Sequence, residues 1–236
     1  MAGTFLKAGW RKLVMANYAI DPGLLERYRP HHTQIDFFKN TCYVSLVGFM
    51  FIDTRVMGLK IPFHVNFEEV NLRFYVKTGK AGKVKRGVVF IKEIVPRPML
   101  AATANLVYKE NYEAMTMKHS WKKADGERRV SYSWRKKEWH SLEVRTGIDE
   151  FEIAPGSEEE FITEHYWGYT KASPSKTLEY EVVHPKWKVY KTLDYRIDVD
   201  FETVYGTEFR FLTTQEPDSV FLAEGSDISV LKATRL

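Results

Sequence analysis

Between Asn66 and Val76, apolar and polar side chains alternate with a period of two. That is the spacing of a β-strand, whose successive side chains point to opposite faces. One face carries Val70, Leu72, Phe74 and Val76. The other carries Phe67, Glu69, Asn71, Arg73 and Tyr75, polar in the middle and aromatic at both ends. An anion, an amide and a cation in a row suit either open water or a polar pocket, and the aromatic ends favour the pocket. Along the strand, Glu69 and Arg73 stand about 13 Å apart, too far for a close ion pair. On an enclosed face each charge needs a partner on a neighbouring strand, in ordered water or in a ligand, because an unpaired buried charge is costly. The competing reading is a solvated face with a weak surface pair.

The pattern on either side of this strand predicts further elements. Trp10 to Tyr18 reads as a first strand. Asp21, Pro22 and Pro30 bracket a short helix, with Asp21 as its cap and Pro22 at its first position. The adjacent His31 and His32 are expected to point apart, which argues against a metal site there. Tyr43 to Ile52 is apolar on both faces, the mark of a strand covered on both sides. Gly87 to Val95 pairs with the alternating strand as a hairpin through the glycine-containing turn 77–83, and a helix is expected over Met99 to Tyr108 after Pro98. Two strands, Ala114 to Lys123 and Arg128 to Trp139, flank an Asp125-Gly126 turn. Ser157 and Glu160 form a capping box for a helix predicted to reach Tyr169, with Phe161, His165 and Tyr169 as its core stripe. Leu178 to Val183 reads as a strand, and three more are predicted over Lys191 to Tyr205, Phe209 to Thr214 and Ser219 to Val230. One β-dominated α+β domain spanning 1–236 is the expectation.

Composition narrows the picture. Of 236 residues, 44% are hydrophobic and 28% charged, as in an ordinary soluble protein. The aromatic share of 14% favours β structure and a lined cavity over a helical bundle. A single cysteine, Cys42, lies in an apolar run and reads as a packing residue in a reducing compartment. With no signal-peptide pattern and no apolar stretch long enough for a bilayer, a cytoplasmic protein without membrane attachment is expected. The net charge of +4 is modest, well short of a dedicated nucleic-acid binder. Its distribution is uneven. Residues 118–137 hold eight Lys or Arg against two acids, while Asp149 to Glu164 holds seven acids and no base. A basic hairpin with aromatics suits single-stranded nucleic acid, but a charged edge hairpin that resists edge pairing is the stronger reading. The acidic segment has the charge to neutralise it.

Three stretches are jointly specific: the F-x-E-x-N-x-R-x-Y-V pattern from Phe67 to Val76, Phe161 to Tyr166, and Tyr180 to Trp187. With Trp10 and the Asp21-Pro22 start, they resemble the YqjF-like family of bacterial proteins of unknown function, which is similar to acetoacetate decarboxylase and shares its superfamily. The resemblance implies a folded-in antiparallel sheet forming a cone-like partial β-barrel, with a smaller sheet and a few helices outside and a polar pocket within. It also implies that Glu69 stands near a pocket glutamate of the decarboxylase. The Schiff-base lysine of that enzyme follows the pattern R-E-x-x-G-x-P-K. The best match here, Asn105 to Tyr112, puts Tyr112 in the lysine's place. Without an amine there is no imine. Lys109 and Lys118 are near in sequence, and spacing alone does not place either inside.

The expected function is therefore a polar small-molecule pocket for a carboxylate or carbonyl metabolite, without Schiff-base chemistry. Glu69, Asn71, Arg73, Tyr75, Tyr112 and His184 are the candidate ligand-binding residues. Arg73 suits a carboxylate by paired hydrogen bonds. Glu69 and His184 are the candidates for a general base, although His184, forced towards an extended backbone by Pro185, also suits a structural bond to a carbonyl. No metal or cofactor is expected, and homo-oligomerisation is left open. The alternatives are a non-catalytic ligand sensor or interaction module and, as a minor option, nucleic-acid binding through hairpin 118–137.

Overall fold

The computed structural model describes residues 3–79 and 84–236. The tip of the predicted 77–83 turn, residues 80–83, lies outside them. In chain order the strands are β1 (Thr4–Ala19), β2 (Gln34–Ile35), β3 (Tyr43–Val56), β4 (Phe67–Thr78) and β5 (Lys85–Val95). Helix α1 (Pro98–Tyr108) precedes β6 (Tyr112–Ala114), β7 (Thr116–Ala124), β8 (Glu127–Lys136) and β9 (Glu138–Glu152). Helix α2 (Glu158–Thr163) leads to β10 (Trp167–Ser173), β11 (Lys176–Val183) and β12 (Lys188–Asp198). Helix α3 (Phe201–Tyr205), β13 (Ser219–Leu231) and β14 (Thr234–Arg235) complete the order.

All fourteen strands join one sheet. Its neighbours run β11, β10, β5, β4, β3, β1, β13, and the far ends meet where Val182 and Val183 of β11 pair with Val230 and Ser229 of β13. That short contact closes a barrel. Nearly every pairing is antiparallel, the exceptions being β10 with β5 and β5 with β6. From β13 the sheet continues through β12, β9, β8 and β7 and folds back over the barrel wall. The smaller sheet expected outside the barrel is thus an extension of the same sheet. The fold is α+β and β-dominated, as the sequence indicated.

Alternation now has a physical meaning. Val44, Leu46, Val70, Leu72 and Phe74 turn outward into a core shared with Val130, Tyr132, Trp134, Leu142 and Val144 of the extension. Val47, Phe49, Phe51, Phe67 and Tyr75 turn inward to a second core inside the barrel. Because β3 lies between the two cores, both its faces are apolar. Contact between the layers is close at Gly48, where a Cβ would sit 2.8 Å from the Tyr132 ring.

Several expectations need correction. Strand 128–139 ends at Lys136, because the chain reverses at Lys137 (φ 60°) into β9, a strand the sequence reading missed. The helix predicted to reach Tyr169 stops at Thr163, and Trp167 instead pairs with Glu181 as β10 begins. Its acids bond to Tyr43, Ser219, Gly156 and Lys186 rather than to the basic hairpin. The last part of predicted strand 191–205 and all but the last residue of 209–214 are helical: α3, then a 3-10 turn over Thr207–Thr213. Phe201, Val204, Phe209 and Leu212 recur three to five positions apart, and all are buried. The rings of His31 and His32, expected to diverge, lie 3.8 Å apart. His32 occupies the left-handed region (φ 65°), which folds its ring back on its neighbour. The Asp125-Gly126 turn forms as expected, both residues having positive φ. Hairpin β7–β8 lies at the sheet edge, with Arg129 and Lys136 facing Glu143 and Glu113.

Candidate functional site

The polar face of β4 is enclosed. Glu69, Asn71 and Arg73 are all buried, which removes the solvated-face reading. They line a cavity of about 220 Å³ inside the barrel. Strand pairing builds its polar wall. Asn71 stands opposite Glu93 on β5, and Glu93 stands beside Tyr112 on β6. One row across three strands therefore carries an amide, a carboxyl and a phenol.

Each group's hydrogen bonds follow from this row. Glu69 accepts from the Asn71 amide at Oε1 (3.0 Å) and from the Tyr112 hydroxyl at Oε2 (3.3 Å). Tyr112 is held by Asn105, whose side chain donates to the Tyr112 carbonyl (2.9 Å) and accepts from its amide (2.7 Å). Glu110, between α1 and β6, accepts from the Tyr180 hydroxyl (2.5 Å). Glu93, 1% exposed, has one carboxyl oxygen with no hydrogen-bond partner.

Three carboxyl groups thus share one enclosed space, and burial makes each costly to ionise. Burial lifts Glu69 to about 7, opposed by the bonds from Asn71 and Tyr112 and by the Arg73 charge. It lifts Glu110 to about 8, with the charge of Glu69 adding to the rise. Glu93 is raised by burial and by the charges of Glu110 and Glu69. At neutral pH this wall holds protons it can donate or take up.

Arg73 is the opposite case. The residue is 7% exposed, and among the described residues no carboxylate lies within ion-pair distance. It makes one long hydrogen bond to the Ile162 carbonyl (3.4 Å) and lies 5.7 Å over the Tyr75 ring. Its Nε has no partner. Planar, permanently charged and fitted for two parallel hydrogen bonds, it suits a carboxylate.

Tyr75 and His184 are placed differently from each other. Tyr75 is buried on the same face but lies behind the cavity lining, its hydroxyl 2.7 Å from Ser45 Oγ and its ring against Phe161 and His165. His184 lines the cavity, stacked on Trp187 at 4.4 Å, with Nδ1 2.9 Å from the Pro185 carbonyl. That bond requires Nδ1 to carry the proton, and burial holds the ring below the usual histidine range. Lys109 caps α1 in the left-handed conformation and is exposed. Lys118 is exposed, its ammonium 4.3 Å over Trp139. No lysine lines the cavity among the described residues.

Sequence reasoning did not pick out Glu93 or Glu110, and took His165 only as a core residue. A lone acid at Glu93 within the Val, Ile and Phe run of β5 was the available signal. His165 lines the cavity as well, its Nε2 3.4 Å from buried Asp36. Burial would raise Asp36, but bonds from His165 and Arg86 outweigh it and hold the carboxyl below the ordinary range. Among the described residues no cluster of His, Cys, Asp and Glu has metal-binding geometry, and no helix is long and apolar enough to cross a membrane.

Comparison with solved structures places the fold. An acetoacetate decarboxylase-like enzyme from Sphingomonas wittichii RW1 superimposes with a TM-score of 0.67 at 10% identity, covering 99% of this chain and 94% of that one. Acetoacetate decarboxylase from Legionella pneumophila subsp. pneumophila str. Philadelphia 1 gives 0.65 at 9% identity, covering 100% and 88%. The enduracididine biosynthesis enzyme MppR, complexed with pyruvate, gives 0.66 at 12% identity, covering 100% and 91%. At these identities the likeness establishes an acetoacetate decarboxylase-like fold and nothing finer. No curated protein matches the chain in sequence. Residues 7–227 do match the family DUF2071, described as an uncharacterized conserved protein, and the chain belongs to that family.

Proposed function

We propose that this protein binds a small carboxylic acid bearing a carbonyl group in the barrel cavity, and holds it without a covalent bond. Arg73 carries the reading: a buried guanidinium with no carboxylate within ion-pair distance among the described residues. Such a charge is tolerated when an anion completes it. A ligand carboxylate would take the two-pronged face of Arg73 and leave the rest of the molecule against the carboxyl wall. Protonated Glu93 or Glu110 would donate a hydrogen bond to the ligand carbonyl. Glu69, titrating at about 7, suits proton transfer at the carbon beside that carbonyl. Tyr112 stands in the cavity wall and no lysine lines it among the described residues, which leaves the decarboxylase route without its amine. A structural relative complexed with pyruvate supports the ligand class.

The test is a thermal-shift titration with pyruvate, followed by borohydride treatment of the mixture. A ligand that binds only the folded state raises the melting temperature, and mass spectrometry should then find no reduced adduct. An unchanged melting temperature through saturating pyruvate, or an adduct on any lysine, would overturn the proposal.

A further inference from the structure

The polar stretch of the β4 inward face runs from Arg73 to Glu69, and the next inward residue beyond Glu69 is Phe67. Along β4 the inward face runs from Arg73 to Phe67, about 20 Å at strand spacing. Phe67 opposes Phe51 on β3, and Phe51 opposes Trp10 on β1. The rings of Phe51 and Phe67 stack at 4.6 Å, and Trp10 meets Phe49, Phe51 and Trp187 edge-on at 5.3 to 6.2 Å. Glu69, opposite Phe49, borders this wall, and past it the side chains of Phe67, Phe51 and Trp10 carry no charge. Beyond it, the lining includes exposed apolar side chains, Ile61 on the β3–β4 loop and Met99 on α1, the latter 70% exposed. The cavity space corresponds to roughly seven waters at about 30 Å³ each. Pyruvate alone would leave most of it unfilled. Apart from the unpartnered Trp10 Nε1, water there would face aromatic carbon, an arrangement that favours displacement by an apolar group.

From this polarity we infer that the natural ligand is an amphipathic oxo acid: a carboxylate with an adjacent carbonyl, carrying an alkyl or aryl tail. The head lies at Arg73 and the tail runs along Phe67, Phe51 and Trp10 towards Ile61 and Met99. The inference rests on the head-group reading above and adds the tail.

Calorimetric titration with pyruvate, 2-oxobutanoate, 2-oxohexanoate and 2-oxooctanoate tests it, each on the wild-type chain, Phe67→Ala and Arg73→Gln. The expected result is affinity rising about fourfold per added methylene, with Phe67→Ala returning 2-oxooctanoate towards the pyruvate value. Should Phe67→Ala fail to fold, Met99→Glu and Ile61→Glu replace exposed side chains at the mouth. They should weaken 2-oxooctanoate and leave pyruvate unchanged. A flat series, with pyruvate binding still lost in Arg73→Gln, overturns the tail and keeps the head. A rising series indifferent to Arg73→Gln keeps the tail and overturns the head.

Discussion

The Tyr112 hydroxyl donates a 3.3 Å hydrogen bond to Glu69 Oε2, joining β6 to β4 across the polar end of the cavity. Two bonds from Asn105 fix the Tyr112 backbone, so the phenol is a positioned donor. Its hydrogen bond favours the ionised carboxylate and holds Glu69 lower than burial alone would. Tyr112→Phe should therefore move the Glu69 titration above about 7. Carbon-13 NMR of labelled glutamate reads that midpoint directly, and an unmoved midpoint would remove Tyr112 from the site's proton chemistry.

The stability of the fold should fall as pH rises from mildly acidic to mildly basic. Glu69 and Glu110 have folded-state values of about 7 and about 8 against an ordinary 4.5. The stability they confer is complete below 4.5, where both states are protonated. It declines as pH climbs, because the unfolded chain then gives up protons that the folded cavity retains. The decline ends near 7 for Glu69 and near 8 for Glu110. Urea midpoints across this range should slope downward in the wild type and flatten in the double variant E69Q/E110Q.

Arg73 should cost the empty protein stability. Arg73→Met exchanges a buried, unpaired guanidinium for an apolar side chain of similar length, and should stabilise the ligand-free chain by about 2 kcal/mol. Chemical denaturation without ligand measures this. A marked loss of stability would mean that the guanidinium already has its partner within the fold.

Gly48 reports on the packing of the two layers. Gly48→Ala places a methyl group 2.8 Å from the Tyr132 ring, and should destabilise by about 1–3 kcal/mol. Thermal unfolding would show it as a lowered melting temperature. A neutral substitution would mean that the β7–β9 extension does not rest on the barrel as described.

The barrel wall was readable in the sequence because one strand displayed both environments. Val70, Leu72 and Phe74 marked an apolar core side, while Glu69, Asn71 and Arg73 left a polar enclosure and a solvated face both open until burial decided for the enclosure. The family motifs supplied the topology. Glu93 and Glu110 were hidden because their approach depends on pairing between distant strands. A bulge near Arg73 also shifts the β4–β5 register, so Arg73 faces Phe90 and not Ile91. The segment 201–213 was misread because its aromatic and apolar residues favour strands, while its helical spacing is short and interrupted at Gly206. Trp167 escaped the predicted helix because pairing with β11 outweighs local helical preference.

Calorimetric titration of pyruvate into the wild-type chain and Arg73→Gln at pH 6, where the carboxyl wall is largely protonated, tests the central claim most directly. A charge-assisted, two-pronged contact accounts for about 1.5–3 kcal/mol. Pyruvate should therefore bind the wild type at least about tenfold more tightly than the variant. Equal affinities for the two proteins would contradict the account.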